Sequence, residues 1–151
     1  HSIYTKHLVE SGVLITHNKD QQVLSLLNFK KFIERDVQII DANATLAELV
    51  ELIKNGSYRN ILDIGSGVQN WSHLFSKDTN YHTVDLRSDV GASHIGDFFT
   101  IHFDQKYDLI IATELVEHLP NTSEFFKRSG DLLAENGVLL ISFPLISTTC
   151  S

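Results

Sequence analysis

The sequence predicts an α/β fold built on a doubly wound, mostly parallel sheet, and three observations carry that prediction. Continuous apolar runs alternate with helix-like segments from Asn60 onward. Strands covered on both faces look like this, because parallel neighbours need a crossover and the crossovers bury the sheet. A glycine loop, Gly65-Ser66-Gly67, follows the run Ile61-Leu62-Asp63-Ile64 without a spacer. Polar residues then recur at the carboxyl ends of later runs: Asp85, Asp97, and Thr113 with Glu114.

Composition sets the bounds. The 151 residues, 42% of them hydrophobic, suffice for one domain with a real core. A net charge of −7, from 19 acidic and 12 basic residues, matches a phosphate backbone poorly, so a nucleic-acid partner is not expected. No apolar run is long enough to span a membrane. Cys150 is the single cysteine, which leaves no intramolecular disulfide and fits a reducing, cytoplasmic setting. The chain opens on His1 and contains no Met, so a processed product or part of a longer sequence is expected.

Residues 1–56 are expected to form a helical N-terminal extension, and residues 57–151 the core of the same single domain. Lys19 to Arg35 places Val23, Leu24, Leu27 and Phe32 close to helical spacing. Ile3 to Ile15 fits a short helix followed by an extended piece, and Asp36 to Ala44 a connection. Thr45 and Glu48 have capping-box spacing, Leu46, Leu49, Val50 and Ile53 form one stripe, and Gly56 suits a C-cap. A helix is therefore expected over roughly 45–55.

In the core, a strand over 60–64 leads to a helix near 69–76. Tyr81 to Val84 reads as a short strand, His94 to Gly96 as a weak one, and Tyr107 to Ala112 as a strongly apolar one. A helix is expected over about 122–135, with Phe125, Phe126, Leu132 and Leu133 inward. Gly137 should break it before the strand Val138 to Phe143.

Ligands of open α/β sheets bind beyond the carboxyl ends of the strands, where the polar residues gather. Gly65 and Gly67 permit backbone angles that other residues avoid, and the next helix would aim its free N–H groups at the same space. Asp63 either orients this loop or meets an ammonium group, and once buried it requires a partner. Asp85, 18 residues beyond Gly67, suits a bidentate bond to ribose hydroxyls. Asp97 reads equally as an acceptor for an adenine amino group and as an N-cap for the segment from Phe98.

The most distinctive local run is Glu114-Leu-Val-Glu117-His118. On a helical turn it would place two carboxylates and an imidazole on one face. That donor set suits a divalent ion, Mg²⁺ or Mn²⁺ first and Fe²⁺ or Zn²⁺ after them. The alternative is a set of polar contacts at a helix start. His118 is also the candidate general base. His73, His82, His94 and His102 are scattered, and Trp71 suits a core or pocket wall.

Taken in order, Asp63-Ile-Gly65-Ser-Gly67, Asp85, Asp97, Tyr107-Asp-Leu-Ile-Ile, Glu117-His118-Leu-Pro and Leu133-Ala-Glu-Asn-Gly-Val-Leu-Leu-Ile-Ser resemble the class I S-adenosylmethionine-dependent methyltransferases over about residues 57–146. The resemblance implies a Rossmann-like fold with S-adenosylmethionine as cofactor. It implies that Asp63, Gly65, Ser66 and Gly67 lie against the methionine half, Asp85 and Leu86 beside ribose, and Asp97 with Phe98 against adenine. Thr113 and Glu114 complete the expected cofactor wall.

Two departures stand out. Val68-Gln69-Asn70 replaces the third small residue common in the family's loop, and the chain stops just after its fifth expected strand where the family has seven. The sheet is thus expected to be truncated, with an open edge that a protein partner or a second copy would cover. The run Glu114 to His118 is similar to that of the metal-assisted O-methyltransferases of ubiquinone biosynthesis and of small-RNA 2′-O-methylation. Those supply a further His, and none follows His118 here.

The expected function is methyl transfer from S-adenosylmethionine to an oxygen or nitrogen of a small-molecule acceptor. His118, or a metal at Glu114, Glu117 and His118, would help a hydroxyl lose its proton. Two other classes share features. A non-catalytic methyltransferase-fold module would keep the pocket for binding or assembly. An NAD-dependent oxidoreductase would share the glycine loop and Asp85, but the missing third glycine and Glu-His-Leu-Pro disfavour it.

Overall fold

The computed structural model describes residues 12–16, 37–41, 53–68 and 70–142. Among these residues seven strands form one sheet: β1 (Gly12–Thr16), β2 (Val37–Asp41), β3 (Asn60–Ile64), β4 (Asn80–Asp85), β5 (His94–Ile95), β6 (Tyr107–Ala112) and β7 (Leu133–Ser142). Their spatial order is β2-β1-β7-β6-β3-β4-β5, and every pairing is parallel. The five strands from β3 to β7 are those read from the sequence, and with them stands the doubly wound α/β fold.

Side chains of the central strands alternate between two covered faces. Leu62, Ile64, Ile110 and Leu139 join Phe98, Phe103, Phe125 and Phe126 on one face. Ile61, Leu109, Ile111 and Val138 join Ile53, Tyr58, Trp71 and Tyr81 on the other. Burial on both faces is what makes these strands read as unbroken apolar runs.

The remaining two strands correct the sequence reading. Both lie inside the segment expected to be a helical extension: β1 falls on the extended piece read toward Ile15, and β2 replaces the connection expected over Asp36 to Ala44. β1 pairs with β7 through Val13 with Leu140, Leu14 with Ile141 and Ile15 with Ser142, and β2 pairs with β1. A bare β7 edge would leave a row of backbone donors and acceptors unpaired, and β1 takes them up. The sheet is therefore not truncated after its fifth strand, and the open edge expected there is covered by the chain itself. The expected helix over Lys19 to Arg35 lies outside the described residues. Of the one expected over 45–55, residues 53–55 are helical and the rest lies outside them.

Two helix boundaries also shift. Near 69–76 the chain makes only a 3₁₀ turn, Ser72–Leu74. The Trp71 N–H donates to the Tyr81 hydroxyl at 2.9 Å and the Ser72 N–H to Asn70 Oδ1 at 3.1 Å. Side-chain acceptors thus take the donors that a helix would organise. The helix α1 (Thr122–Leu132) starts where Asn121 Oδ1 accepts the Glu124 N–H at 3.1 Å. It ends at Leu132 rather than 135, because Leu133 already pairs with Tyr107. The chain then bulges, and Val138 pairs with Leu109. Gly137 serves this bulge rather than the helix end: a Cβ there would sit 2.9 Å from the Tyr107 carbonyl oxygen.

Candidate functional site

The strand order changes direction at β3, with β4 and β5 on one side and β6 and β7 on the other. Connections leaving β3 and β6 diverge there, which opens a crevice at the carboxyl ends. A cavity of about 600 Å³ occupies it, a size suited to a nucleoside-sized ligand. Of the residues expected to form a site, Gly65, Asp85, Leu86, Asp97, Phe98, Glu114 and His118 line this cavity.

Gly65 forms its floor. It has a φ of +67°, and a Cβ there would lie 3.0 Å from Leu115 Cδ1. A side chain would be both strained and crowded. The Gly65 N–H donates to the Val84 carbonyl at 2.8 Å, which ties the loop to β4. Gly67, with a φ of +57°, donates its N–H to Asp85 Oδ2 at 2.9 Å. Gly67 and the buried Ser66 are not part of this cavity's lining.

Asp85 closes the loop and faces the cavity. Its Oδ1 accepts the Arg87 N–H at 2.9 Å, with Arg87 Nε 3.7 Å away. Each oxygen has two lone pairs, so acceptor capacity remains for ligand hydroxyls. The Asp85 carbonyl accepts the Gly96 N–H at 2.9 Å and so draws the next strand end alongside. Ser93 and Thr83 exchange bonds of 2.8 Å each way, side chain to backbone, which pin the stretch leading into β5.

Asp97 follows. Its Oδ1 accepts the Phe99 N–H at 2.9 Å, so the capping role read from the sequence is present, and the residue also lines the cavity. Phe98 packs beside Phe125 at 5.6 Å between ring centroids. Arg128 of α1 holds this wall in place. Its Nε donates to the Phe98 carbonyl at 2.6 Å, its Nη2 donates to the Ile101 carbonyl, and its guanidinium lies 5.3 Å from the Phe98 ring centre.

Asp63 lies elsewhere. It is only 1% exposed and lies outside the cavity lining. Its Oδ2 accepts the Tyr81 hydroxyl at 2.5 Å, and its Oδ1 has no hydrogen-bond partner among the described residues. Burial pushes its carboxyl up to about 6, the Tyr81 hydroxyl and the Trp71 N–H hold it down, and Asp85 adds a small upward push. Through Tyr81 it takes the loop-orienting role read from the sequence. Thr113 is half-buried at the end of β6 and does not line the cavity.

The Glu114-to-His118 run departs from the helical turn expected of it. Glu114 has a φ of +53°, and only Val116–His118 form a turn, of the 3₁₀ type. Three residues per turn, started from a left-handed residue, do not stack positions i, i+3 and i+4 on one face. Glu114 and His118 both line the cavity mouth, while the Glu117 side chain lies outside the described residues. Among the described residues no three His, Cys, Asp or Glu side chains gather as a metal ion requires. The expected Mg²⁺ or Mn²⁺ site needs Glu117 as a ligand, and that side chain lies outside the described residues.

Sequence reasoning missed Arg87, Phe99, Leu115, Leu119 and Phe125 as cavity residues. Arg87 could have been found two places beyond Asp85 at the same strand end. Leu115 and Leu119 carry the four-residue spacing of one side of a turn, masked by the acid and imidazole between them.

A parallel doubly wound sheet with a glycine-floored cavity at its switch point defines the class: an α/β protein whose cavity has the place and size for a nucleoside-type ligand. A family model described as a methyltransferase domain matches residues 33–148, and the chain belongs to this class I S-adenosylmethionine-dependent methyltransferase family. The match begins ahead of β2 and so takes in part of the expected extension. Comparison with curated proteins and with solved structures gave no match.

Proposed function

We propose that this chain binds S-adenosylmethionine and transfers its methyl group to an oxygen or nitrogen of a small molecule. One observation carries the reading: the cavity beyond β3, β4 and β6 has Gly65 as its floor, with Asp85 and Asp97 at adjoining strand ends. Asp85 is the acceptor for the ribose hydroxyls. Phe98, held by Arg128, walls the base, with Asp97 beside it. S-adenosylmethionine supplies an already activated methyl group, so the chain's own task is alignment and exclusion of water. Leu115, Leu119 and Phe125 make that part of the lining apolar.

The acceptor enters at the mouth, where Glu114 and His118 stand together. His118 takes the proton that a hydroxyl or ammonium acceptor must lose. No helix among the described residues is long and apolar enough to cross a membrane. We place the protein in the cytoplasm on its cysteine content, since the single Cys150 fits a reducing setting. Calorimetry with S-adenosylmethionine tests the donor: binding of one equivalent is expected, and a folded sample that binds none sinks the proposal. A screen of small hydroxyl and amine acceptors for methylated product tests the transfer.

A further inference from the structure

We infer that Tyr81 is a positioning residue of the donor loop: its hydroxyl ties the backbone N–H of Trp71 to the buried carboxylate of Asp63. Asp63 stands opposite Thr83 in the β3–β4 ladder, and Tyr81 lies two residues before Thr83, on the same face. That face carries Ile61, Trp71 and Tyr81, whereas Ile64 and Val84 on the other side line the cavity. The Tyr81 hydroxyl donates to Asp63 Oδ2 at 2.5 Å and accepts the Trp71 N–H at 2.9 Å. The connection from β3 thus has ties at three points along its length: Gly65 to Val84, Gly67 to Asp85, and Trp71 through Tyr81 to Asp63.

The third tie matters because two residues of the loop are glycines, whose freedom must be removed before a ligand meets a formed site. Donation to a carboxylate strengthens a hydroxyl as an acceptor, so the charge on Asp63 tightens the hold on Trp71. Among the described residues the groups facing Asp63 are Tyr81 and Thr83 from β4, Ile111 from β6, Asp85 at the end of β4, and the Trp71 N–H. Of these, Tyr81 and Asp85 carry ionisable side chains. Proton uptake by Asp63, centred at about 6, therefore loosens the tie.

The role in positioning rests on the proposed donor site, but the first readout needs no donor. Trp71 is the sole tryptophan, and the His73 ring lies 6.5 Å from its own, so its fluorescence is read in a His73→Gln background, which removes that imidazole from beside the indole. In that background, with Asp63 and Tyr81 native, the emission should change with a midpoint near pH 6. Tyr81→Phe removes a bond that favours the carboxylate and should move the midpoint up by about one unit. Asp63→Asn should abolish the transition. A midpoint that Tyr81→Phe leaves in place, or a transition that survives Asp63→Asn, overturns the relay; should Tyr81→Phe fail to fold, Asp63→Asn decides. The second readout is S-adenosylmethionine affinity at pH 7.5, expected to fall about tenfold in folded Tyr81→Phe. Unchanged affinity beside a shifted midpoint overturns the positioning role. A wild type that binds no donor defeats the donor reading, while the fluorescence still decides the relay.

Discussion

The Asp85 carboxylate accepts the Gly67 N–H at 2.9 Å, so the side chain that faces the cavity also closes the loop beneath it. Cavity lining and loop geometry are coupled in one residue. Asp85→Ala should therefore cost more than a ribose contact. It removes the acceptor of two backbone N–H groups, at Gly67 and Arg87, each worth about 1.5–3 kcal/mol when the acceptor is charged. Calorimetry should show S-adenosylmethionine binding at least ~30-fold weaker, with a lowered melting temperature. A folded Asp85→Ala variant with native affinity would refute the ribose role.

Asp63 makes stability depend on pH with a definite sign. Its carboxyl is pushed from an ordinary 3.8 up to about 6, chiefly by burial. The folded state then binds more protons than the unfolded one between those values, so this group's contribution is complete below about pH 4 and is lost as pH rises through about 6. Urea denaturation from pH 4 to 7 should show the wild type losing stability relative to Asp63→Asn as pH rises. A difference that stays flat across this window would mean that the buried carboxylate is neutral or solvated throughout.

The parts of this fold that can be read from sequence are those whose physics is local. Tyr107 to Ala112 is apolar at almost every position because both faces of β6 are buried, whereas a solvated face would place a polar residue at every second position. The Gly65 floor and the acids at strand ends are legible for the same reason: they sit beside the strands that place them. β1 and β2 are not. Five-residue apolar runs do not separate strand from helix, and β1 earns its place only by pairing with β7, more than 100 residues later.

The chemistry at the mouth is illegible for a backbone reason. Helical spacing would gather Glu114, Glu117 and His118, but the left-handed Glu114 cannot belong to such a turn. Asp63 is legible as a residue needing a partner. Tyr81, which provides one, carries no motif, and only strand register brings it there.

Arg128 offers a test of how far the base-side wall depends on α1. One guanidinium serves two carbonyls, at Phe98 and Ile101, and lies near the rings of Phe98 and Phe103. A lysine keeps the charge but has neither the fork nor the plane. Arg128→Lys should destabilise the protein by about 1–2 kcal/mol and lower the melting temperature by several degrees. Donor affinity should fall as well, because Phe98 lines the cavity. Loss of stability with native affinity would show that the wall forms without the staple.

Glu114 separates strain from function. A φ of +53° costs a residue with a Cβ about 1–2 kcal/mol, and such strain persists where surrounding structure enforces it. Glu114→Ala and Glu114→Gly both delete the carboxylate, but only glycine accepts the backbone angle freely. Glycine gives back about 0.5–1 kcal/mol through the entropy of its unfolded chain. Chemical denaturation should still find Glu114→Gly more stable than Glu114→Ala, by up to about 1 kcal/mol. Both variants should bind S-adenosylmethionine within a few-fold of the wild type yet lose methyl transfer together, since the carboxylate lines the cavity at the mouth we propose for the acceptor. Equal stability of the pair would place no strain at this turn, and full turnover in either would remove Glu114 from the acceptor site.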